Sequence, residues 1–247
     1  MISERPFEFL SGTINLLVVE DEPYSLGSAL EFLESIPLIS YKVVNSSSAA
    51  LSEFKSGNRY HVCITDLGIS DVNGDEFFLV RQFSKMCSII VLTGSKSPLK
   101  GAKCIQCGAR AVIEKGTSFN LREYFNILKK CILLNIVDSR YNEFCNDVLS
   151  PAVEVLFEKN PASVTEWADC LRISDRQLRN LWHNSGFSAK HVLFLYGLYR
   201  NAFNYYEKLL FEPKTNSGQS EISADPVYKK QYSYFLENRS ILISLLS

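Results

Sequence analysis

Three features that the chain lacks narrow what it can be. No apolar run reaches about 18 residues, the length that marks a candidate membrane span, and the first nine residues lack the apolar core of a signal peptide. The 26 basic and 27 acidic residues nearly cancel, so the net charge gives no indication of a nucleic acid partner. We therefore expect a cytoplasmic protein with no membrane association.

The chain also lacks a disulfide framework and a glycine-rich phosphate loop. Its seven cysteines are odd in number and scattered along the sequence, which suits a reducing compartment. Cys104 and Cys107 have CxxC spacing without a second pair nearby, so small buried hydrophobic residues explain them better than a metal or redox site. Without a phosphate loop, a small α/β enzyme or phosphatase is the weakest reading, and we do not expect an enzyme.

Polar side chains follow four short apolar runs of the chain. The runs are rich in Val, Ile and Leu and indicate buried strands of a parallel sheet: 16–19, 62–65, 89–92 and 111–113. The polar residues after them are Glu20 and Asp21, Asp66, Thr93 and Lys115. Because side chains beyond the carboxyl ends of parallel strands meet in one crevice, we expect these five groups to converge. Carboxylates, a hydroxyl and an ammonium suit a divalent metal and a phosphoryl group.

Strand-like and helix-like segments alternate over residues 14–137. One further strand is predicted at 41–44, and helices are predicted near 26–33, 49–55, 76–82, 100–107 and 121–136. Strict alternation of five strands and five helices predicts an α/β doubly wound five-stranded parallel sheet with helices on both faces. The remainder is predicted to be an all-α domain that contains a helix-turn-helix.

Four segments of the first half resemble the response-regulator receiver domain, also called the CheY-like domain. They occur in the order and at the spacings of that family: NLLVVEDE (15–22), TDLGISDVNG (65–74), VLTGS (91–95) and VIEKG (112–116). The resemblance implies a receiver domain over residues 14–137. It further implies a sensor histidine kinase as the partner that supplies a phosphoryl group.

The resemblance implies a role for each polar residue at the predicted sheet edge. Asp66 falls at the aspartate that accepts the phosphoryl group, while Thr93 and Lys115 fall at the hydroxyl and the ammonium that contact it. A carboxylate nucleophile gives an aspartyl-phosphate, and Mg²⁺ takes oxygen ligands and bridges to phosphate. The implied ligands of Mg²⁺ are Glu20, Asp21, Asp66 and the backbone carbonyl of Gly68.

The sequence departs from the receiver pattern at three positions. Val112 stands where the family usually has an aromatic residue that swings inward on activation. Ser70 and Gly116 stand where the family often has proline. The phosphorylation chemistry is therefore expected to be intact, while the usual aromatic readout is not.

Two short amphipathic helices joined by a turn at residues 172–173 are predicted in the second half. Ser174 and Gln177 form a capping-box pattern at the start of the second helix. One face of this helix carries Arg176, Arg179 and Asn180, followed by His183. Such a row suits a DNA major groove, where Arg reads guanine and Asn reads adenine, although an ordinary solvated helix face has the same composition.

Residues 164–193 resemble the first helix-turn-helix of the AraC/XylS family, and the match implies that Arg176, Arg179 and Asn180 contact DNA. The second helix-turn-helix of that family is not found in the sequence. We expect a helical linker, the AraC-like domain, a polar loop and one final helix, with these bounds: 138–150, 151–211, 212–226 and 227–246.

Two functions remain open from the sequence. The first is a two-component response regulator that is phosphorylated on Asp66 and regulates transcription by binding DNA. One helix-turn-helix binds weakly, so a homodimer would help by doubling the base contacts. The second is a receiver that controls protein contacts through a degenerate helical domain without DNA binding. The near-neutral charge favours the second function, and the row beginning at Arg176 favours the first.

Overall fold

The structure, a computed structural model, describes residues 6–22, 26–69, 75–116, 119–138, 150–184, 187–212 and 225–246. The chain divides into two compact units. One is formed by residues 10–135, and the other by residues 136–247 together with residues 1–9. None of the helices in the described ranges combines the length and the apolar composition that crossing a membrane requires.

Residues 10–135 contain a five-stranded parallel sheet with the strand order β2-β1-β3-β4-β5. The strands are β1 (Ile14–Val19), β2 (Ile39–Val44), β3 (Val62–Asp66), β4 (Ser88–Thr93) and β5 (Ala111–Glu114). The predicted doubly wound sheet is confirmed. The neighbours of β1 lie on opposite sides of it, and ligands of such sheets bind beyond the carboxyl ends of the strands at this switch point.

Five helices flank the sheet: α1 (Gly27–Glu34), α2 (Ser47–Lys55), α3 (Phe78–Phe83), α4 (Pro98–Gln106) and α5 (Leu121–Asp138). The helix predicted at 76–82 begins later, at Phe78. The Asp75 side chain accepts a hydrogen bond from the Phe77 N–H at 3.1 Å, which holds the preceding residues in a turn.

The central strands are buried on both faces, as parallel strands between two helical layers must be. All six residues of β4 are buried. On one face, Leu17, Cys63 and Ile89 pack with Phe83 of α3 and Cys104 of α4. The interpretation of Cys104 as a small buried hydrophobic residue is confirmed.

The described part of residues 136–246 contains only helices as regular elements. After α5 they are α6 (Ser150–Lys159), α7 (Val164–Cys170), α8 (Asp175–Asn184), α9 (Ala189–Phe211), α10 (Pro226–Glu237) and α11 (Arg239–Leu246). Trp167 of α7 and Trp182 of α8 are fully buried, with ring centroids 5.2 Å apart. The Trp167 Nε1–H donates a hydrogen bond to the carbonyl of Ala152 at 2.9 Å, which ties α6 to this pair.

The single helix predicted over 227–246 is divided into α10 and α11 in the structure. The break lies at Asn238, where the backbone has φ −114° and ψ 17°. The Asn238 side chain donates a hydrogen bond to the Tyr234 carbonyl at 2.9 Å, and asparagine commonly competes for helix backbone groups in this way. The linker predicted at 138–150 and the loop predicted at 212–226 lie largely outside the described residues.

His61 is a buried titratable group at the start of β3. The residue is only 3% exposed, and its Nδ1 accepts a hydrogen bond from the Asn15 N–H at 3.1 Å. Desolvation by burial lowers the pKa of His61 to about 4, from an ordinary 6.5. The folded protein therefore keeps this imidazole neutral at a pH where the unfolded chain binds a proton.

The stability of residues 10–135 should consequently fall as the pH drops from 6.5 toward 4. Only the unfolded state binds the extra proton in that window, so His61 should contribute a loss of up to roughly 3 kcal/mol. Urea unfolding monitored by circular dichroism from about pH 7 to about pH 4.5 measures this dependence. The His61→Gln variant should flatten the slope, whereas His183→Gln, which alters an exposed histidine, should not. An unchanged slope in His61→Gln would contradict a buried neutral His61.

Candidate functional site

Three carboxylates converge beyond the carboxyl ends of β1 and β3. Glu20 and Asp21 follow β1, and Asp66 is the last residue of β3. Each offers an oxygen within 4.8 Å of the other two. The pairing of Val19 with Thr65 aligns the two strand ends, which is why residues far apart in sequence meet here. Glu20 is only 1% exposed, Asp66 is half-buried and Asp21 is exposed.

Lys115, just beyond β5, is the cation of this cluster. Its ammonium forms an ion pair with the Glu20 carboxylate and lies 3.1 Å from Oδ2 of Asp66. Its backbone N–H donates to the carbonyl of Thr93 at 2.8 Å, which fixes the lysine beside the end of β4. A buried carboxylate such as that of Glu20 is costly without a partner, and Lys115 provides one.

Two residues near Asp66 affect the space and the hydrogen-bond donors around its carboxylate: Thr93 at the end of β4 and Gly68 after β3. Asp66 pairs with Leu92, so Thr93 stands one residue further along the neighbouring strand. The buried Thr93 Oγ1 accepts a hydrogen bond from the Ser95 N–H at 3.0 Å, which leaves its O–H available as a donor. A Cβ at Gly68 would lie 3.3 Å from Oδ2 of Asp66, closer than most side chains tolerate. Glycine therefore keeps one side of the carboxylate open.

The donor set fits Mg²⁺. Three carboxylates against one ammonium leave an excess of negative charge, and Mg²⁺ prefers oxygen ligands supplied by one or two carboxylates plus phosphate and water. Glu20, Asp21 and Asp66 could hold it through their carboxylates. Gly68, two residues after Asp66, could add its backbone carbonyl.

The predicted DNA-reading residues lie on the exposed face of α8. Arg176, Arg179 and Asn180 are all exposed. The predicted capping box is present: the Gln177 N–H donates to Ser174 Oγ at 3.2 Å, and the Ser174 N–H donates to Gln177 Oε1 at 2.8 Å. This arrangement fixes where α8 begins and therefore which residues share its exposed face.

Arg179 already has an anionic partner on its own helix. Its Nε and a terminal nitrogen donate to the two carboxylate oxygens of Asp175 at 2.9 and 3.2 Å. The pair is exposed, so its net contribution to stability is small. Any base or phosphate that Arg179 contacts must nevertheless compete with this carboxylate.

A groove that the sequence did not reveal runs beside α8. Its volume is about 650 Å³, and residues of α8, of the start of α9 and of α11 line it. Asn180 and His183 line it together with Ile241 and Leu245. Sequence periodicity indicates that α11 has an apolar face, but it does not indicate that α11 and α8 line the same groove.

The Cys-x5-Arg spacing of phosphatase nucleophile loops occurs twice, at Cys104–Arg110 and at Cys170–Arg176. Cys104 is fully buried within α4, where a thiol is inert toward substrates. Cys170 ends α7 and Arg176 lies in α8, so no loop between a strand and a helix surrounds that pair. Neither spacing forms a phosphatase site.

Comparison with known families agrees with the geometry of the first unit. The sequence profile described as the response regulator receiver domain matches residues 16–125. The chain contains a response regulator receiver domain. The match begins within β1 and ends within α5, so it includes the whole acidic cluster and Lys115. No curated protein matches the chain.

Solved structures that resemble the chain include receiver domains and a longer regulator. A CheY-like receiver domain protein from Methanospirillum hungatei JF-1 is 18% identical with a TM-score of 0.43, covering 49% of this chain and 95% of its own. RcsB from Salmonella enterica serovar Typhimurium, solved bound to promoter rprA with the phosphomimetic BeF3⁻, is 20% identical with a TM-score of 0.41. That likeness covers 73% of this chain and 97% of RcsB.

Two departures within the receiver domain have structural explanations. Gly116 has φ +112°, a conformation that proline, with φ fixed near −65°, cannot adopt. Val112 is half-buried and packs against the core formed with α2, α3 and α4. A β-branched side chain is restricted at χ1, so Val112 does not provide a rotamer switch of the aromatic kind.

The Lys115 ammonium contacts two of the carboxylates that would bind a divalent cation, and the two positive charges would repel each other. Removing the ammonium should therefore strengthen Mg²⁺ binding to the receiver domain. The Lys115→Gln variant should bind Mg²⁺ roughly three- to tenfold more tightly, because one repulsive charge within a few ångströms is lost. Isothermal titration calorimetry measures the affinity directly. The control is Lys96→Gln, which removes an exposed lysine paired with Glu114 and should change the affinity much less. Weaker Mg²⁺ binding by Lys115→Gln would contradict this electrostatic account.

Proposed function

We propose that the chain is a two-component response regulator whose Asp66 accepts a phosphoryl group from a sensor histidine kinase in a Mg²⁺-dependent reaction. The observation that carries this proposal is the cluster of Glu20, Asp21 and Asp66 at the sheet edge with the Lys115 ammonium against two of its members. An ordinary structural ion pair would need one carboxylate. The additional carboxylates are explained by a cation and a phosphoryl group.

Burial and contacts support Asp66 as the nucleophile among the three acids. Glu20 is almost fully buried and paired with Lys115, so an incoming phosphoryl group cannot reach it. Asp66 is partly open to solvent, and Gly68 leaves space beside its Oδ2. The Asp66 carboxylate forms an O–P bond while the N–P bond of the kinase phosphohistidine breaks, and the electron pair of that bond returns to the imidazole.

The other residues hold the transferred group and respond to its charge. Mg²⁺ bound by the three acids and the Gly68 carbonyl would neutralise negative charge on the phosphoryl group. The phosphoryl group brings about −1.5 to −2 charges, judged by analogy with phosphoserine, so the Lys115 ammonium should move from Glu20 toward it. The Thr93 O–H then donates to a phosphoryl oxygen. This rearrangement favours one of two states of the receiver domain, which is the only way phosphorylation can shift their populations.

The output that we propose is DNA binding through α8, as in the first helix-turn-helix of the AraC/XylS family. Arg176, Arg179 and Asn180 present long donors from one exposed face, and α7 packs against α8 through two buried tryptophans. Because one reading helix supplies few base contacts, a homodimer would supply a second. These contacts would make the protein a transcription regulator.

A second candidate output is a protein contact on the same side of the domain. It is favoured by the groove beside α8, where apolar Phe187, Ile241 and Leu245 adjoin the polar residues, and by the pairing of Arg179 with Asp175. A groove with this composition suits a peptide segment of a partner protein as well as a DNA backbone.

The phosphoacceptor assignment is tested by labelling with acetyl phosphate in the presence of Mg²⁺. Asp66→Asn should abolish labelling, because the amide is not a nucleophile for phosphorus. Asp75→Asn, which alters an aspartate paired with Arg81 on the same domain, should be labelled like the parent protein. Acid-stable labelling that persists in Asp66→Asn would refute the assignment, and intact-protein mass spectrometry detects it.

The DNA output is tested by selecting genomic fragments with the phosphorylated protein and measuring affinity for the selected sequence. Arg176→Ala combined with Arg179→Ala should weaken specific binding by at least about tenfold, since each good bidentate base contact contributes about 1–3 kcal/mol of discrimination. Lys229→Ala with Lys230→Ala removes two exposed charges from α10 and serves as the matched control. If the phosphorylated parent protein selects no sequence, the protein-contact output is favoured instead.

A further inference from the structure

The segment that precedes β1 belongs to the second compact unit and not to the receiver domain. Residues 1–9 group with 136–247, whereas the receiver unit begins at Leu10. Of the described part of this segment, Pro6 and Phe7 are buried and Phe9 is half-buried. A short stretch outside regular strands and long helices buries aromatic residues only where it has a specific place to pack.

Phe7 packs against α9 and α10 of the second unit. Its ring meets that of Tyr228 edge-on, with centroids 5.2 Å apart, and lies 5.8 Å from that of Tyr205. Its backbone N–H donates a buried hydrogen bond to the Tyr228 hydroxyl at 3.2 Å. Phe7 is 4% exposed and has φ +63°, a conformation that bulky residues adopt only where the surroundings fix it.

Phe9 extends the same contact along α10. Its ring centroid lies 5.0 Å from that of Tyr232 and 5.0 Å from that of Phe235. Phe235 is almost completely buried. Aromatic pairs in tilted and edge-on arrangements stabilise beyond the area they bury, so the two phenylalanines cover the inner face of α10 with a specific packing arrangement.

We propose that residues 6–9 form an aromatic strap that completes the core of the second unit, so that the receiver domain is inserted between two parts of that unit in the chain. The strap needs no linker, because one peptide bond joins Phe9 to Leu10. Leu10 is fully buried, and its carbonyl accepts hydrogen bonds from the N–H and the hydroxyl of Thr13 at 3.2 and 2.6 Å. The chain thus joins the receiver domain to the second unit both at the beginning and at the end of the receiver domain.

The strap has a consequence for α10 that an ordinary N-terminal extension would not have. The packing of α10 depends on residues that directly precede β1, the strand after which Glu20 and Asp21 follow. Shortening or altering the first nine residues should therefore weaken the packing of the second unit while leaving the receiver domain folded. This inference does not rest on the proposed function, since it concerns packing alone.

Hydrogen–deuterium exchange of the full chain tests the strap. Phe7→Ala combined with Phe9→Ala should accelerate amide exchange over α10 by at least about tenfold, because the helix loses its packing partners. Exchange over β3 and β4 should stay unchanged. The matched control is Leu236→Ala, which truncates a side chain on α10 that is 49% exposed and should leave exchange as it is.

A milder variant covers the case in which the double variant does not fold. Tyr228→Phe keeps the ring and removes only the hydroxyl that accepts the Phe7 N–H, so exchange of that amide should accelerate. The proposal is overturned if α10 exchanges at the parental rate in the double variant, or if α10 and the receiver strands lose protection equally. Neither readout requires Asp66 phosphorylation or DNA binding, so failure of those proposals would be seen separately.

Discussion

The ion pair between the buried Glu20 carboxylate and the Lys115 ammonium is the interaction on which the acidic site depends. A carboxylate taken out of water is costly unless a cation and hydrogen bonds compensate it. The two residues are 95 positions apart in the chain, and only the parallel sheet brings them together. Because Lys115 also contacts Asp66, a change of charge on Asp66 alters the balance that keeps Glu20 satisfied. The stability of the sheet edge and its chemistry are therefore linked through one ammonium group.

The receiver domain has Val112 in place of an aromatic rotamer switch, so under the proposed function another element would have to respond to the charge on Asp66. Val112 is half-buried against the core, and its branched side chain has little rotamer freedom. The receiver domain is continuous with the second unit at two places, through β1 at its start and through α5 at its end. A shift of either element would act on the second unit through the chain itself. The connection at the start is short, because the strap of residues 6–9 is followed directly by Leu10 of the receiver domain.

On the proposed output surface of α8, any ligand has to compete with contacts that are already present. Arg179 on α8 is held by Asp175, and the groove beside α8 is bounded by apolar residues of α11. A DNA duplex would have to compete with Asp175 for the arginine, whereas a protein segment could use the apolar residues of the groove directly. The position of α11 thus bears on what α8 can contact, although α11 is not part of the proposed helix-turn-helix.

Local patterns in the sequence determined the elements and the chemical character of the site. Apolar runs that end on Glu20, Asp66, Thr93 and Lys115 predicted the strands and their shared edge, and Ser174 with Gln177 predicted the start of α8. Such patterns report which face of an element is buried, but not which partner covers it. Only the tertiary structure decided the partners, because they are far apart in the chain: Lys115 pairs with Glu20, α11 lines the same groove as α8, and Phe7 packs on Tyr228.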